Sequence, residues 1–511
     1  MKRASGIFLH PTSLPSPYGI GDLGETALRW IDLLSSHEQS FWQFCPLSPT
    51  GYGDSPYQTL CSFAGNTLLI SPDELLKDGL LSKADLKPYP LLPADRVDFG
   101  AVIAAKEGLF RKAYSNFSDT KEFAAFCKKE DRWLADYALF RAVKTQHKER
   151  PWWEWEPEYK LRGAGALKAA AEKYADAMRY QKFLQFVFDA QWRKVRAHAA
   201  EKEILLIGDI PFYTAYDSSD TWAEPSQFLF DKNAKPIDVA GVPPDYFSET
   251  GQLWGNPLYR WDAMKKDGYS WWRRRMEKTL ALVDYIRIDH FRAFDSYWAV
   301  PYGSPTAATG EWRKGPGLPF FDAVKAALGD LPFIAEDLGD ITPGVIKLRE
   351  DIKAPGMKIL QFAFDSNPNN PYLPYNATKD SVTYTGTHDN DTSLGWFTLL
   401  PESGKKRVCD YLGCTAKNFA ESFVRCALAS PSWLCLIPMQ DVLALGSEHR
   451  MNTPGTMWGN WQWRMTKTMP AASKMKRLAE LTELYGRARA EKEAPLGEGE
   501  GSKEAVANKV K

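Results

Sequence analysis

The sequence predicts an α/β fold: a (β/α)8 TIM barrel that carries a large helical insertion and an active-site lid loop. Eight short apolar runs end in polar or glycine-rich turns, near residues 5–10, 40–45, 204–210, 283–289, 332–337, 357–364, 381–387 and 433–438. The last five follow one another at intervals of roughly 25–50 residues, with amphipathic segments such as Gly344 to Asp351 between some of them. That alternation is the pattern of parallel βα units. A chain of 511 residues has room for such a barrel with insertions.

The barrel is expected to use residues 1–61 and 201–490. Residues 62–200 are charged, Ala-rich and helical in pattern, notably Lys168 to Tyr180 and Gln181 to Lys202, and predict a mostly helical insertion subdomain. Residues 211–280 are richer in Pro, Gly and aromatics and predict a second, loop-rich insertion. Within it, residues 241–257 form a long aromatic-bearing loop. Long loops are functional or disordered, and the aromatics argue against disorder, so this one is read as a lid over a cleft. Residues 491–511, mostly Glu, Lys, Gly and Ala, are expected to be a mobile tail. Little more than that tail follows the last barrel run, so no C-terminal β-sandwich is expected.

Lys plus Arg equals Asp plus Glu, 64 against 64, so charge gives no reason to expect nucleic acid or an anionic membrane as partner. Aromatic content is high at 13%, with 19 Trp and 22 Tyr. Many must serve the core, but flat rings with polar edges also suit a carbohydrate cleft. The seven cysteines have no metal-type CxxC spacing and read as reduced thiols of a cytoplasmic protein. The first residues lack an apolar h-region and no run of eighteen apolar residues occurs, so neither a secretion signal nor a membrane span is expected.

The segment Tyr285-Ile286-Arg287-Ile288-Asp289-His290-Phe291-Arg292 reads as a strand that ends in ionisable groups. Side chains alternate along a strand, so Arg287 and Asp289 point the same way, roughly 6–7 Å apart along it. A guanidinium beside an Asp favours the ionised form that a carboxylate nucleophile requires. Phe333-Ile334-Ala335-Glu336-Asp337-Leu338-Gly339 repeats the shape, as does the run from Val382 to Asp391 through Thr387-His388-Asp389-Asn390. Asp209 ends a fourth run, Ile207-Gly208-Asp209-Ile210-Pro211. On a parallel barrel these strand ends converge on one mouth.

Retaining glycosidic chemistry needs two carboxyl groups about 5–5.5 Å apart. Asp289 is assigned as the nucleophile. Glu336 follows an apolar strand that should raise its pKa, which suits an acid holding its proton near neutral pH. Asp389, next to His388, would hold sugar hydroxyls and stabilise an oxocarbenium-like transition state. Singly, each feature has a plain alternative: a structural ion pair, a helix N-terminal charge, or a metal site or capping turn at residues 388–391. Their ordered occurrence on three strands favours catalysis. The chain has no HxH or HExxH pair, no GxSxG elbow and no Walker or GxGxxG motif, so no metal or cofactor is expected.

The chain also resembles the 4-α-glucanotransferases of glycoside hydrolase family 77, from about Gly6 to Arg489. The resemblance is carried by His10-Pro11-Thr12-Ser13-Leu14-Pro15, Pro49-Thr50-Gly51-Tyr52-Gly53-Asp54-Ser55-Pro56-Tyr57-Gln58 and the Gly241 to Pro257 loop. It continues through Arg287-Ile288-Asp289-His290-Phe291-Arg292, Ala335-Glu336-Asp337-Leu338-Gly339 and Gly386-Thr387-His388-Asp389-Asn390-Asp391-Thr392. Arg450-Met451-Asn452-Thr453-Pro454-Gly455 and Gly459-Asn460-Trp461 complete it.

The resemblance implies an α-amylase-type barrel that moves α-1,4-glucan segments from donor to acceptor by double displacement. It implies Asp289 as nucleophile, Glu336 as acid/base and Asp389 as transition-state stabiliser. Tyr57, Asp209, Arg287 and His388 would line the subsite of the covalent sugar. Tyr52, Asp245, Glu249, Gln252 and Trp254 would lie along the cleft. Asn460 is a weaker choice for a further contact, with Asn452 its competitor. The expected partners are maltooligosaccharides and α-1,4-glucans, and the expected state is a monomer or weak homo-oligomer. Two rival readings are a hydrolytic amylase on the same barrel and an inactive glucan-binding protein, which would have no reason to keep three placed carboxylates.

Overall fold

Apolar runs become strands here because aliphatic and β-branched side chains fill both faces of a parallel sheet. In the computed structural model, which describes residues 2–244, 248–466 and 472–489, they do so in chain order. The strands are β1 (Ala4–Phe8), β2 (Phe41–Gln43), β3 (Leu205–Ile210), β4 (Asp238–Val242), β5 (Gln252–Pro257) and β6 (Tyr285–Ile288). They continue with β7 (Ser296–Pro301), β8 (Glu311–Lys314), β9 (Phe333–Ala335), β10 (Gly356–Ile359), β11 (Ser381–Tyr384) and β12 (Leu434–Pro438). Strands β1, β2, β3, β6, β9, β10, β11 and β12 pair parallel in that sequence, and β12 returns to β1 to close a barrel. All eight predicted runs are its strands.

The side-chain period of two sorts each strand. Ile207, Ile334, Val382, Leu434 and Leu436 meet in one buried cluster with Phe41 and Met357 inside the barrel. Their neighbours Leu206, Ala335, Cys435 and Ile437 join the layer between strands and helices. Gly6 permits the tight β1–β2 approach, since a Cβ there would lie 2.5 Å from Phe41 Cβ. Next to the closing pair, Arg487 is buried and donates to the carbonyls of Ala4 at 2.8 Å and Ser432 at 2.9 Å.

Between β2 and β3 the chain is helical, including Phe99–Ser115, Asp131–Gln146 and Ala175–Glu201. The last of these packs on β3 and on the barrel helices Glu25–Ser36 and Ser270–Leu282, so its length serves the barrel as well. An element absent from the sequence reading is a four-stranded antiparallel sheet in the order β5-β4-β7-β8. Strand β4 pairs with β7 across the whole of barrel strand β6, a non-local match that no short-range turn signal announces. Strand β5 belongs to the segment read as a lid. Asp245 and Tyr246, also in that segment, and the tail at 491–511 lie outside the described residues.

Candidate active site

The inward parity of the strands continues past their ends. Ile207 faces the barrel interior, and Asp209 is the next inward position; Ile334 is followed in the same way by Glu336. The β3–β6 register sets Asp209 beside Arg287. Asp209, Arg287, Asp289 and Glu336 therefore meet at one mouth because three neighbouring strands, β3, β6 and β9, end there.

Arg287 is the hub. Its Nη1 donates to Asp209 Oδ2 at 2.5 Å and to Asp289 Oδ1 at 2.9 Å. Tyr57 OH donates to the same Asp209 oxygen at 2.7 Å. Side-chain exposure rises outward from 1% for Asp209 and 4% for Arg287 to 28% for Asp289 and 49% for Asp389, so a ligand in the mouth meets the last two first. Two carboxylates on either side hold the guanidinium charged, well above its ordinary pKa.

Glu336 is fixed from the backbone. His290 N donates to its Oε2 at 2.7 Å and Leu338 N to its Oε1 at 3.2 Å. Removal from water nevertheless pushes its pKa well above the ordinary carboxylate value; the Asp289 charge adds to this and Arg287 opposes it. His290 sits in the left-handed region, φ 49°. That conformation turns its N–H toward Glu336, and its ring packs edge-on to Trp254 with centroids 4.9 Å apart. Burial, then the Arg292 charge, lowers the His290 pKa to about 3, so the imidazole is neutral.

Asp389 stands opposite on the loop after β11. Asn452 Nδ2 donates to its Oδ1 at 2.6 Å, and His388 Nε2 lies 3.4 Å from its Oδ2. Arg450 donates to the carbonyls of Asp389 and Asn452, each at 2.5 Å, and ties the two loops together. Tyr57 stacks on His388 at 5.0 Å, and Trp461 packs against both rings at 5.7 and 5.6 Å.

The outer positions differ in kind. Tyr52 is 67% exposed and faces the exposed Trp458 at 6.3 Å. Glu249 is exposed, while Gln252 and Trp254 are half-buried, with Trp254 Nε1 donating to Gln252 Oε1 at 3.2 Å. Asp245 lies outside the described residues. Asn460 does not reach the carboxyl groups. Its Oδ1 accepts from Thr453 N at 2.9 Å and its Nδ2 donates to Thr456 O at 3.0 Å, so its amide is used up in shaping its own loop. The competitor, Asn452, is the one that touches Asp389. Arg450 and Trp461 were visible in the sequence only as parts of motifs, and His290 only as a neighbour of Asp289; nothing local to any of them signalled its contacts.

A barrel whose mouth gathers four carboxyl groups and an arginine among aromatic rings is that of a carbohydrate-active enzyme. The chain belongs to glycoside hydrolase family 77, the 4-alpha-glucanotransferases, whose family model matches residues 9–469. It is 47% identical over 496 residues to a 4-alpha-glucanotransferase of Synechocystis sp., covering 95% of this chain and 98% of that one. A 4-alpha-glucanotransferase of Thermus thermophilus is 44% identical over 500 residues, covering 94% and 99%. Among solved structures, an amylomaltase from Streptococcus agalactiae in complex with acarbose superposes with a TM-score of 0.93 at 37% identity, covering 96% of this chain and all of that one.

Proposed function

We propose that the protein transfers α-1,4-glucan segments from a donor to a maltooligosaccharide or glucose acceptor by retaining double displacement. Asp289 attacks the anomeric carbon while Glu336 delivers its proton to the departing glycosidic oxygen. The product of this half is a glycosyl ester on Asp289, with the shortened glucan released. Glu336, now ionised, takes the proton of the acceptor hydroxyl as that oxygen attacks the anomeric carbon and displaces the Asp289 carboxylate. The α-linkage is restored and both carboxyl groups return to their starting forms.

The observation that carries this reading is the split between the two carboxyl groups. Glu336 is pushed toward its protonated form by desolvation, whereas Asp289 rests on Arg287 at 2.9 Å. An acid and a nucleophile with opposed needs sit in opposed environments. Asp389, steadied by Asn452, would meet the charge that grows on the sugar ring. Tyr57, Asp209, Arg287 and His388 would surround the sugar bound to Asp289, with Tyr52, Asp245, Glu249, Gln252 and Trp254 further along the glucan. A cytoplasmic protein, monomeric or weakly self-associated, fits this substrate; no described helix is long and apolar enough to cross a membrane.

Hydrolysis shares the first half-reaction. Trp254, packed over His290, and the rest of segment 241–257 would keep water from the ester and hold an acceptor in its place. Incubation with maltotriose, resolved by chain length over time, tests the whole scheme. Transfer gives glucose together with maltopentaose and longer chains at constant reducing ends. Glucose and maltose alone, with reducing ends rising, would mean hydrolysis instead.

A further inference from the structure

Two of the seven cysteines lie far along the chain from the carboxyl groups and meet at one helix corner. Helix Glu402–Leu412 ends at Gly413, whose backbone is left-handed at φ 61° and ψ 41°. Gly413 N donates to Asp410 O at 3.3 Å, and Cys414 N donates to Cys409 O at 2.9 Å. This is a Schellman closure, in which the residue after the left-handed glycine bonds back to the carbonyl five positions earlier and the two side chains touch. Here both of those side chains are thiols, Cys409 and Cys414. Both are half-buried, as are Cys127 and Cys426, which leaves them open to a small reagent, whereas Cys45, Cys61 and Cys435 are buried.

The corner is set on its other side too. Thr415 N and Oγ1 each donate to Asn418 Oδ1 at 2.8 Å, which starts the next helix, Phe419–Ala429. A disulfide needs Cα atoms about 4.4–6.8 Å apart. With standard bond lengths, the hydrogen-bonded N and O leave these two Cα atoms no more than about 6.8 Å apart. That spacing lies within the range a disulfide spans.

We propose that Cys409 and Cys414 are a reversible dithiol–disulfide site, oxidised by small disulfides of the glutathione type. One cysteine thiolate attacks a sulfur of oxidised glutathione and expels one glutathione thiolate. The second cysteine loses its proton and attacks the protein sulfur of that mixed disulfide, expelling the other glutathione. One protein disulfide forms, two thiol protons are released, and one oxidised glutathione is reduced to two glutathiones. Beyond this corner, Phe419 stacks on Phe397 at 3.9 Å, in the helix that follows the loop bearing Asp389.

The test treats the full-length native protein with oxidised glutathione, then denatures it and counts thiols, with peptide mapping by mass. The expected result is two thiols fewer, a Cys409–Cys414 cross-link lighter by two hydrogens, and full reversal by dithiothreitol. The C409S variant should instead retain one glutathione on Cys414, since no second thiol resolves it. C409S and C414S should both keep the transfer rate of the reduced enzyme, which also shows that they fold. The proposal fails if wild-type Cys409 and Cys414 stay reduced while Cys127 reacts, or if wild type holds stable glutathione on either cysteine without closing the ring.

Discussion

Asn452 donates to Asp389 Oδ1 at 2.6 Å, so this carboxylate, proposed to meet the growing charge, is held from a different loop than its own. Asn460, eight residues on, is occupied inside that second loop. The two asparagines should therefore fail differently. Asn452→Ala should lower kcat/KM about tenfold to a hundredfold with little change in Tm, because a charge-assisted bond of about 1.5–3 kcal/mol is lost at the substrate. Asn460→Ala should instead destabilise by about 1–3 kcal/mol, by leaving Thr453 N and its loop without a partner. Thermal unfolding and maltotriose kinetics on both variants separate the roles; equal losses in both readouts would contradict them.

Glu336→Gln removes the proposed proton donor and keeps the shape. Transfer from maltotriose should fall by about 10²–10⁴. A donor with a fluoride leaving group needs no proton to depart, so formation of the glycosyl ester should be far less affected. Stability carries a second sign. A folded pKa above the unfolded one means the folded state binds the extra proton, so wild type loses stability as pH rises above the ordinary Glu range. Gln has no such loss. The Tm difference, variant minus wild type, should be more positive at pH 8 than at pH 4.5, and a flat difference would mean that Glu336 is not desolvated in solution.

The barrel was legible because its strands are short runs dominated by apolar residues, and because Asp209 and Glu336 sit at the next inward position after such runs. Local periodicity carries that information. The β4–β7 pairing was not legible, since it joins segments on either side of β6 and depends on the finished barrel. Which of Asn452 and Asn460 bonds Asp389 was hidden for a related reason. Both lie in polar turn sequence, and only the loop's path decides which amide faces Asp389. Arg287 was foreseen as the partner of Asp289, but its shorter bond to Asp209 follows from the β3–β6 register, a property of two strands rather than one.

Buried neutral histidines set the acid side of stability. Burial lowers the pKa of His10 and of His290 to about 3 in each case, with the charge of His388 adding to the effect at His10 and that of Arg292 at His290. The unfolded chain binds these protons near pH 6.5, so the folded state is fully favoured above that and loses ground below it. Each group should cost up to about 1.4 kcal/mol per pH unit between pH 6.5 and about 3. Urea unfolding at pH 7 and pH 5 should show this decline, and His10→Gln should shrink it. Ring-proton NMR should find neither histidine titrating above pH 5.

Asp337 offers a way to shift the proposed catalytic acid, Glu336, without touching it. Its charge is among those that raise the Glu336 pKa, and its own carboxylate is anchored by Met357 N at 2.7 Å and Arg349 Nε at 3.3 Å. The alkaline limb of kcat/KM reports loss of the proton from the acid in the free enzyme. Asp337→Asn removes a negative neighbour and leaves Arg349 unneutralised, and both changes make ionisation of Glu336 easier. The limb should shift to lower pH by about half a unit, the size of a screened charge a few ångströms away. The acid limb should stay in place, because the substitution alters neither Arg287 nor its bond to Asp289. An alkaline limb that stays put or moves upward would mean that a group other than Glu336 gives up the limiting proton.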